Sequence, residues 1–168
     1  NIITTTTHIL VSNGCVVFIH VFPARCQCQP GWRENENKCY YFSADAKTWL
    51  EAETFCLSQN SNLMSIQDIH ERYVLSTPTG ISLWMGGHDS VTEGGWEWMD
   101  GSPFRYIRWS AGNPDDYFGE DCLSILINSG YWNDDNCEHK RGYICKRKGA
   151  RFIQVLDTWK KTIKTIHI

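Results

Sequence analysis

The chain has 168 residues, enough for one domain with a short flank on each side, and 13% of them are aromatic, which supplies large side chains for a core. Its eight cysteines contain no Cys-x-x-Cys motif, which argues against a cytosolic zinc protein and favours disulfides formed in an oxidising compartment. The formal net charge is −3 and no stretch is long and apolar enough to cross a membrane, so we expect neither a nucleic-acid partner nor a membrane span.

The N-terminal flank, residues 1–27, is rich first in threonine and then in β-prone residues. Residues 9–24 have two interpretations, the apolar core of a secretory signal or a β-strand of the mature protein. The chain has neither an initiator methionine nor a basic segment ahead of this stretch, which weighs against the signal. We expect the flank to lie outside the main domain, which we place at residues 28–148.

Two helices are predicted in the first half of this domain. After a strand at residues 39–42, Ser43 is the candidate cap of a helix over 44–59, which has apolar residues at helical spacing along one face. A second helix is predicted over 65–75, where the segment from Ser65 to Asp68 offers a variant of the capping box. Its expected apolar stripe consists of Ile66, Ile69, Tyr73 and Val74.

Beyond Ile81, short apolar segments alternate with clusters of glycine, asparagine, aspartate and proline. They predict short strands, of which the last two span residues 121–127 and 141–147. Residues 99–121 and 128–138 carry little regular pattern, and a loop of that length is uncommon in a compact domain unless it is functional. The order of elements predicts an α+β domain whose loops carry the function.

Acidic residues are concentrated in this loop-rich half. Eleven acids lie between Trp84 and Glu138, against only Arg105 and Arg108. Like charges in so short a stretch repel one another if it folds compactly, so we expect them to face water or to surround a cation. The C-terminal flank, residues 149–168, is basic instead.

A series of motifs runs in order through residues 28–147. Four of the longer motifs contain tryptophan: Trp49-x-x-Ala52-x-x-x-Cys56, Trp84-Met85-Gly86-Gly87, Trp96-x-Trp98-x-Asp100-Gly101 and Trp132-Asn133-Asp134. The others are Cys28 with Cys39-Tyr40, Trp109, Asn113-Pro114-Asp115, Glu120-Asp121-Cys122, and Cys137 with Tyr143-Ile144-Cys145. Each is weak alone, but together the motifs resemble the C-type lectin-like domain family, and within it the soluble fish lectins and type II antifreeze proteins.

The resemblance implies an α+β, disulfide-stapled fold with two helices, two small antiparallel sheets and a long calcium-binding loop. It also implies three disulfides, Cys28–Cys39, Cys56–Cys145 and Cys122–Cys137. The second closes a long loop, for which the chain-entropy model gives roughly 4–5 kcal/mol of stabilisation. Cys15 and Cys26 are left to pair with each other or to bridge two chains. Five of the motif tryptophans, at 84, 96, 98, 109 and 132, are expected to anchor the core or the loops.

Oxygen-bearing side chains dominate the acidic stretch, and hard oxygen ligands suit Ca²⁺ rather than zinc. By resemblance, a principal calcium site is formed by Asn113, Asp115, Glu120, Asn133 and Asp134, and the family has a cis proline inside its tripeptide. The resemblance also suggests an auxiliary calcium site, which shares Glu120 and consists otherwise of Asp89, Glu93, Asp116 and Asp121. The alternative for both sets is a group of acids that merely keep a surface loop solvated.

In the family, sugar hydroxyls complete the calcium shell, which implies sugar contacts from Asn113, Asp115, Tyr117, Glu120 and Asn133. The amide-then-acid order of the tripeptide is similar to the galactose-type Gln-Pro-Asp pattern, although asparagine is one methylene shorter than glutamine. Tyr117 is expected either to stack on the apolar face of galactose or to pack within the loop. We expect a secreted, extracellular protein that binds galactose or N-acetylgalactosamine on glycoproteins or cell surfaces.

Three other classes of function are alternatives to carbohydrate binding. Catalysis is not expected, because the acids are grouped with amides and no nucleophile–base pair is visible. Ice binding on the same scaffold is weakened by the absence of threonine near residues 113–120. A self-assembling structural or filament subunit is suggested by the β-prone flanks at 3–24 and 162–168, through which, or through Cys15 and Cys26, a homo-oligomer would form.

Overall fold

The computed structural model describes residues 9–12, 15–18, 28–73 and 80–148, with side chains over 28–72 and 80–148. The chain divides into two units, one formed by Asn1–Cys39 with Lys148–Ile168 and the other by Tyr40–Arg147. The first unit contains the antiparallel pair β1 (Ile9–Ser12) and β2 (Cys15–Phe18), strand β3 (Arg33–Asn35), and the Cys28–Cys39 disulfide. Within the described ranges, no helix is long and apolar enough to span a membrane.

The second unit carries the helices and the main sheet. Its elements are β4 (Lys38–Phe42), α1 (Trp49–Ser58), β5 (Asn62–Leu63), α2 (Ile69–Tyr73), β6 (Ser82–His88), β7 (Glu97–Trp98), β8 (Cys122–Leu126), β9 (Tyr131–Asp135) and β10 (Gly142–Lys148). The strand order is β4-β10-β6-β8-β9, with β5 on β10 and β7 on β6. Strands β6, β8 and β9 pair antiparallel, whereas β10 runs parallel to β6. The predicted α+β class is confirmed, and the sheet is mixed.

The core is one cluster of buried aliphatic and aromatic side chains beneath this sheet. Its members are Tyr40, Met64, Ile66, Leu83, Met85, Trp98, Leu123, Ile125, Ile127, Trp132 and Ile144. Trp84 is also fully buried, and Trp96 and Trp109 are partly buried against the cluster. The five tryptophans at 84, 96, 98, 109 and 132 therefore anchor the core or the loops that cover it, as the sequence predicts.

Helix α1 begins at Trp49, so the predicted start at Ala44 with Ser43 as the cap is wrong. Thr48 is the cap: its hydroxyl accepts a hydrogen bond from the Glu51 backbone, and the Glu51 carboxylate accepts one from the Thr48 backbone. The preceding residues are not helical because Lys47 exchanges two backbone hydrogen bonds with Arg141. This pairing joins residues distant in sequence, and local helix propensity does not report it.

Helix α2 begins at Ile69 instead of Ser65, because Asp68 supplies the cap by accepting a hydrogen bond from the Glu71 backbone at 2.9 Å. Ser65 instead donates to the Asp100 carboxylate at 2.6 Å. Ile69 is 45% exposed, so the predicted apolar stripe is not buried along its length. The Tyr73 side chain and residues 74–79 lie outside the described part of the chain.

Two further disulfides cross-link the second unit. Cys56–Cys145 joins α1 to β10, and Cys122–Cys137 joins the start of β8 to the segment after β9. With Cys28–Cys39, the structure contains the three pairs that the resemblance implies. The side chains of Cys15 and Cys26 lie outside the described residues, and so do residues 149–168, so their expected roles stay predictions.

Candidate functional site

The candidate site lies where the long loop between β7 and β8 meets strand β9. Trp132 on β9 donates its backbone N–H to the Arg108 carbonyl at 2.9 Å and accepts from the Ser110 N–H at 2.8 Å. These two bonds tie the middle of the loop to the strand just before Asn133. The tripeptide at residues 113–115 is thereby brought beside the end of β9.

The Trp132 side chain anchors β9 in the core. Its ring is fully buried and lies in edge-to-face contact with four other rings at centroid separations of 5.6–5.8 Å. Those rings belong to Trp98, Phe104, Tyr106 and Trp109. Because the residues after Trp132 are Asn133 and Asp134, a rigid aromatic cluster positions two of the predicted ligands.

Asp134 organises the loop through its side chain, which is fully buried. One carboxylate oxygen accepts the backbone N–H groups of Asp115 and Asp116, each at 2.7 Å. The other oxygen accepts from the Asn113 amide at 2.8 Å, and the same amide donates to the Asn133 side-chain oxygen at 2.7 Å. The Asn113–Pro114 bond is cis. Four of the five predicted principal ligands are therefore in one hydrogen-bonded group.

Glu120, the fifth, lies with the acids of this group. Ligand oxygens of Asp115, Glu120 and Asp134 are all within 4.8 Å of one another. Partial burial and then repulsion from Asp134, Asp135 and Asp115 raise the pKa of the Glu120 carboxyl. Within the described residues, no other group of three or more His, Cys, Asp or Glu side chains is this close together.

The donor set fits a hard cation such as Ca²⁺. Three carboxylates and two side-chain amides offer only oxygen ligands, since a half-turn of the Asn113 amide presents its oxygen in place of its nitrogen. Asp135 follows Asp134 directly but is engaged elsewhere, because it forms an ion pair with Arg141 and a hydrogen bond with His139. The side chains present are therefore chemically suited to hold a calcium ion, as the resemblance implies.

The predicted auxiliary ligands lie near one another but outside this group of three carboxylates. Asp89 follows β6 and is 3% exposed. One of its carboxylate oxygens accepts a hydrogen bond from the Gly94 N–H at 3.0 Å. The other oxygen is buried and has no hydrogen-bond partner among the described residues. Burial, together with repulsion from Asp121 and Asp116, raises its pKa. The pKa of Glu93 is raised by desolvation and by Asp89. An unpaired buried carboxylate oxygen is costly, which is the pattern expected of a cation ligand.

Two exposed aromatic residues stand at the tip of the loop that bears the acids. Tyr117 is 65% exposed and Phe118 is 86% exposed, and their rings meet edge to face at 4.4 Å. The sequence pattern indicated a role for Tyr117 and gave none to Phe118. The adjacent Gly119 was the one signal available, since it marks a turn that pushes its neighbours outward.

Comparison with known proteins identifies the family of the domain that carries this site. The Lectin C-type domain family model matches residues 45–147. The human protein "C-type lectin domain family 17, member A" is 37% identical over 126 residues, which cover 74% of this chain but only 33% of that relative. The "Galactose-specific lectin nattectin" of Thalassophryne nattereri is 32% identical over 131 residues, covering 74% of this chain and 82% of the fish lectin.

Solved structures give the same answer for the fold. The carbohydrate-recognition domain of the mouse scavenger receptor C-type lectin superposes with a TM-score of 0.69 at 38% identity, covering 73% of this chain and 98% of that domain. A calcium-independent type II antifreeze protein superposes with a TM-score of 0.70 at 28% identity, covering 74% and 96%. Since the family model covers more than half of the sequence, the chain belongs to the C-type lectin domain family.

Proposed function

We propose that this protein binds carbohydrate in a calcium-dependent manner through the loop between β7 and β8, and that it prefers galactose-type over mannose-type sugars. The proposal rests on one observation, the convergence of the Asp115, Glu120 and Asp134 carboxylates within 4.8 Å. Three negative charges held this close repel one another, and a divalent cation removes that repulsion. We place the lectin domain at residues 28–148.

The residues that would hold calcium are Asn113, Asp115, Glu120, Asn133 and Asp134. When bound, calcium supplies a positive centre whose remaining coordination positions suit sugar hydroxyls. Asn113 donates to sugar oxygens through its amide, and the Asp115 and Glu120 carboxylates accept from sugar hydroxyls. The main contribution of Asp134 is to hold the loop in position, because its carboxylate accepts hydrogen bonds from the backbone N–H groups of Asp115 and Asp116. Asp89, Glu93, Asp116 and Asp121 would form an auxiliary calcium site.

Two features support a galactose-type ligand. The amide at Asn113 and the acid at Asp115 follow the order found in galactose-type relatives, and the matched fish lectin carries galactose specificity in its name. Tyr117 lies two residues after Asp115 and its ring is largely exposed, so it is available to stack on the apolar face of a hexose. The short Asn113 side chain sets the ligand nearer the backbone than glutamine would.

A direct binding experiment tests this function. Methyl β-galactoside and methyl α-mannoside are titrated into the protein by calorimetry, in calcium and in chelator. We expect binding only in calcium, with the galactoside at least about threefold tighter, which corresponds to about 0.7 kcal/mol. Asp115→Asn removes the charge of one predicted ligand. Within the described residues, the Asp115 side chain supports no other part of the fold, so the substitution should weaken binding about tenfold or more.

The matched control is Glu138→Gln, which removes an exposed acid after β9 without touching the carboxylate group. It should bind as the wild type does. Equal affinity in calcium and chelator would refute the calcium dependence, and a tighter mannoside would refute the galactose preference. An unaffected Asp115→Asn variant would refute the assignment of the site.

Ice binding is the second candidate, because a calcium-independent antifreeze protein shares this fold at a TM-score of 0.70. Thermal hysteresis in solution without sugar binding would favour it. Assembly through the flanks, with or without Cys15 and Cys26, stays a prediction. The three disulfides support an extracellular location, where glycans of glycoproteins and cell surfaces are the expected partners.

A further inference from the structure

The tip of the calcium loop is a closed turn that holds two aromatic rings outward. The Gly119 N–H donates to the Asp116 carbonyl at 3.3 Å, and the Glu120 N–H donates to the Asp116 carboxylate at 3.0 Å. These bonds return the chain on itself between two candidate ligands, Asp115 and Glu120. Tyr117 and Phe118 occupy the outer side of the turn and are exposed.

Both the backbone conformation and the exposure of Phe118 are energetically unfavourable. Its φ angle is +61°, in the left-handed region that bulky side chains rarely adopt. Its ring is 86% exposed, so the conformation is not offset by apolar burial. Within the described part of the chain its one ring contact is with Tyr117, which is itself exposed. Neither stability nor packing therefore explains a phenylalanine at this position.

The two rings present different surfaces to a ligand. Their planes are inclined at 73°. One sugar ring is roughly flat and stacks on one aromatic face at a time, so a single hexose against Tyr117 leaves Phe118 uncovered. A ligand that covers both rings has a second apolar surface joined to the first sugar.

We propose that Phe118 forms a second, apolar subsite that contacts the unit joined to the calcium-held sugar. The ligand class is a glycoside of more than one ring whose second unit presents an apolar face, either another sugar or an aryl group. This inference rests on the proposed function, because the first sugar must be held beside Asp115 and Glu120. Phe118 then determines specificity between a lone hexose and a longer glycoside.

The test compares two probes that share one sugar, methyl β-galactoside and phenyl β-galactoside, with the corresponding mannosides as a second pair. Affinities are measured by calorimetry in calcium and in chelator. We expect the wild type to bind the phenyl glycoside about three- to tenfold tighter than the methyl glycoside, the range of one aromatic contact. In Phe118→Asn this ratio should fall to about one, because asparagine tolerates the left-handed backbone but has no ring.

Two variants complete the design. Phe118→Tyr keeps a ring and should keep the preference, and Leu50→Ala removes an exposed apolar side chain from α1 and should not change it. A ratio near one in the wild type, or a ratio that Phe118→Asn leaves unchanged, overturns the subsite while calcium-dependent binding of the methyl glycoside still stands. Loss of self-association in Phe118→Asn with an unchanged ratio also overturns it, in favour of contact with a second copy. If no probe binds in calcium, the proposed function fails and the subsite fails with it.

Discussion

Replacing Glu120 with glutamine should change stability in opposite directions with and without calcium. The three carboxylates lie within 4.8 Å of one another, and at that distance two unit charges repel by about 0.9 kcal/mol in water and about 3.5 kcal/mol at an effective dielectric constant of 20. Glu120 has two such neighbours, and Asp115 is exposed, which favours the lower figure. We therefore expect Glu120→Gln to be about 2 kcal/mol more stable than the wild type in chelator, with a smaller gain at high salt.

Calcium should close this gap. Extracellular calcium modules have dissociation constants of about 0.1–1 mM, so about 10 mM calcium should stabilise the wild type by about 1.4–2.7 kcal/mol and the variant by little. Thermal unfolding followed by circular dichroism measures both states, and one kcal/mol corresponds to about 3–5 °C for a domain of this size. Glu138→Gln is the matched control. A variant that is no more stable than the wild type in chelator, or that keeps the full calcium shift, would refute the reasoning.

Two further predictions concern the framework. Glu53 is 1% exposed, and burial raises the pKa of its carboxyl above the ordinary value of 4.5. Hydrogen bonds from Leu63 and Asn62 oppose this shift but do not cancel it. The folded state therefore holds the proton more tightly than the unfolded state. Its contribution to stability is thus complete below the ordinary pKa and declines as pH rises through the raised one. Urea unfolding between about pH 4 and pH 7 should show wild-type stability falling relative to Glu53→Gln, and a constant difference would contradict this. Replacing Cys56 and Cys145 by alanine opens a loop with a separation of 89 residues and should cost about 4–5 kcal/mol, against about 3 kcal/mol for Cys122 and Cys137 with a separation of 15. A larger loss for the shorter loop in urea unfolding would contradict the entropic argument.

The motifs predicted which side chains lie together better than the local pattern predicted the helices. Asn113 and Asp115 share one short segment, and Asn133 and Asp134 share another, so a single contact between two segments brings most of the site together. The start of α1 depends instead on the pairing of Lys47 with Arg141. That pairing exists only once β10 is in place, so helical periodicity alone extended the helix too far toward Ser43.

The consecutive acids Asp134 and Asp135 have different contacts, for a reason that the sequence alone does not show. Asp134 and Asp135 are consecutive on β9, and successive side chains of a strand point to opposite faces. Asp134 faces the loop and holds its backbone, whereas Asp135 faces Arg141 and His139. Phe118 was missed for a related reason, because the sign of its φ angle and its exposure are set by the backbone of the turn.

The same hydrogen bonds limit what calcium contributes to the fold. The loop is attached to β9 by backbone hydrogen bonds of Trp132 and by the Asp134 carboxylate, and both residues are buried. A cation therefore has little backbone to order around Asp115 and acts chiefly by neutralising the repulsion among the three carboxylates. This is why the expected calcium effect is about 2 kcal/mol instead of the whole free energy of folding. It also agrees with the similarity of this fold to a calcium-independent antifreeze protein, since the aromatic cluster and the disulfides carry the structure while the loop acids carry the charge.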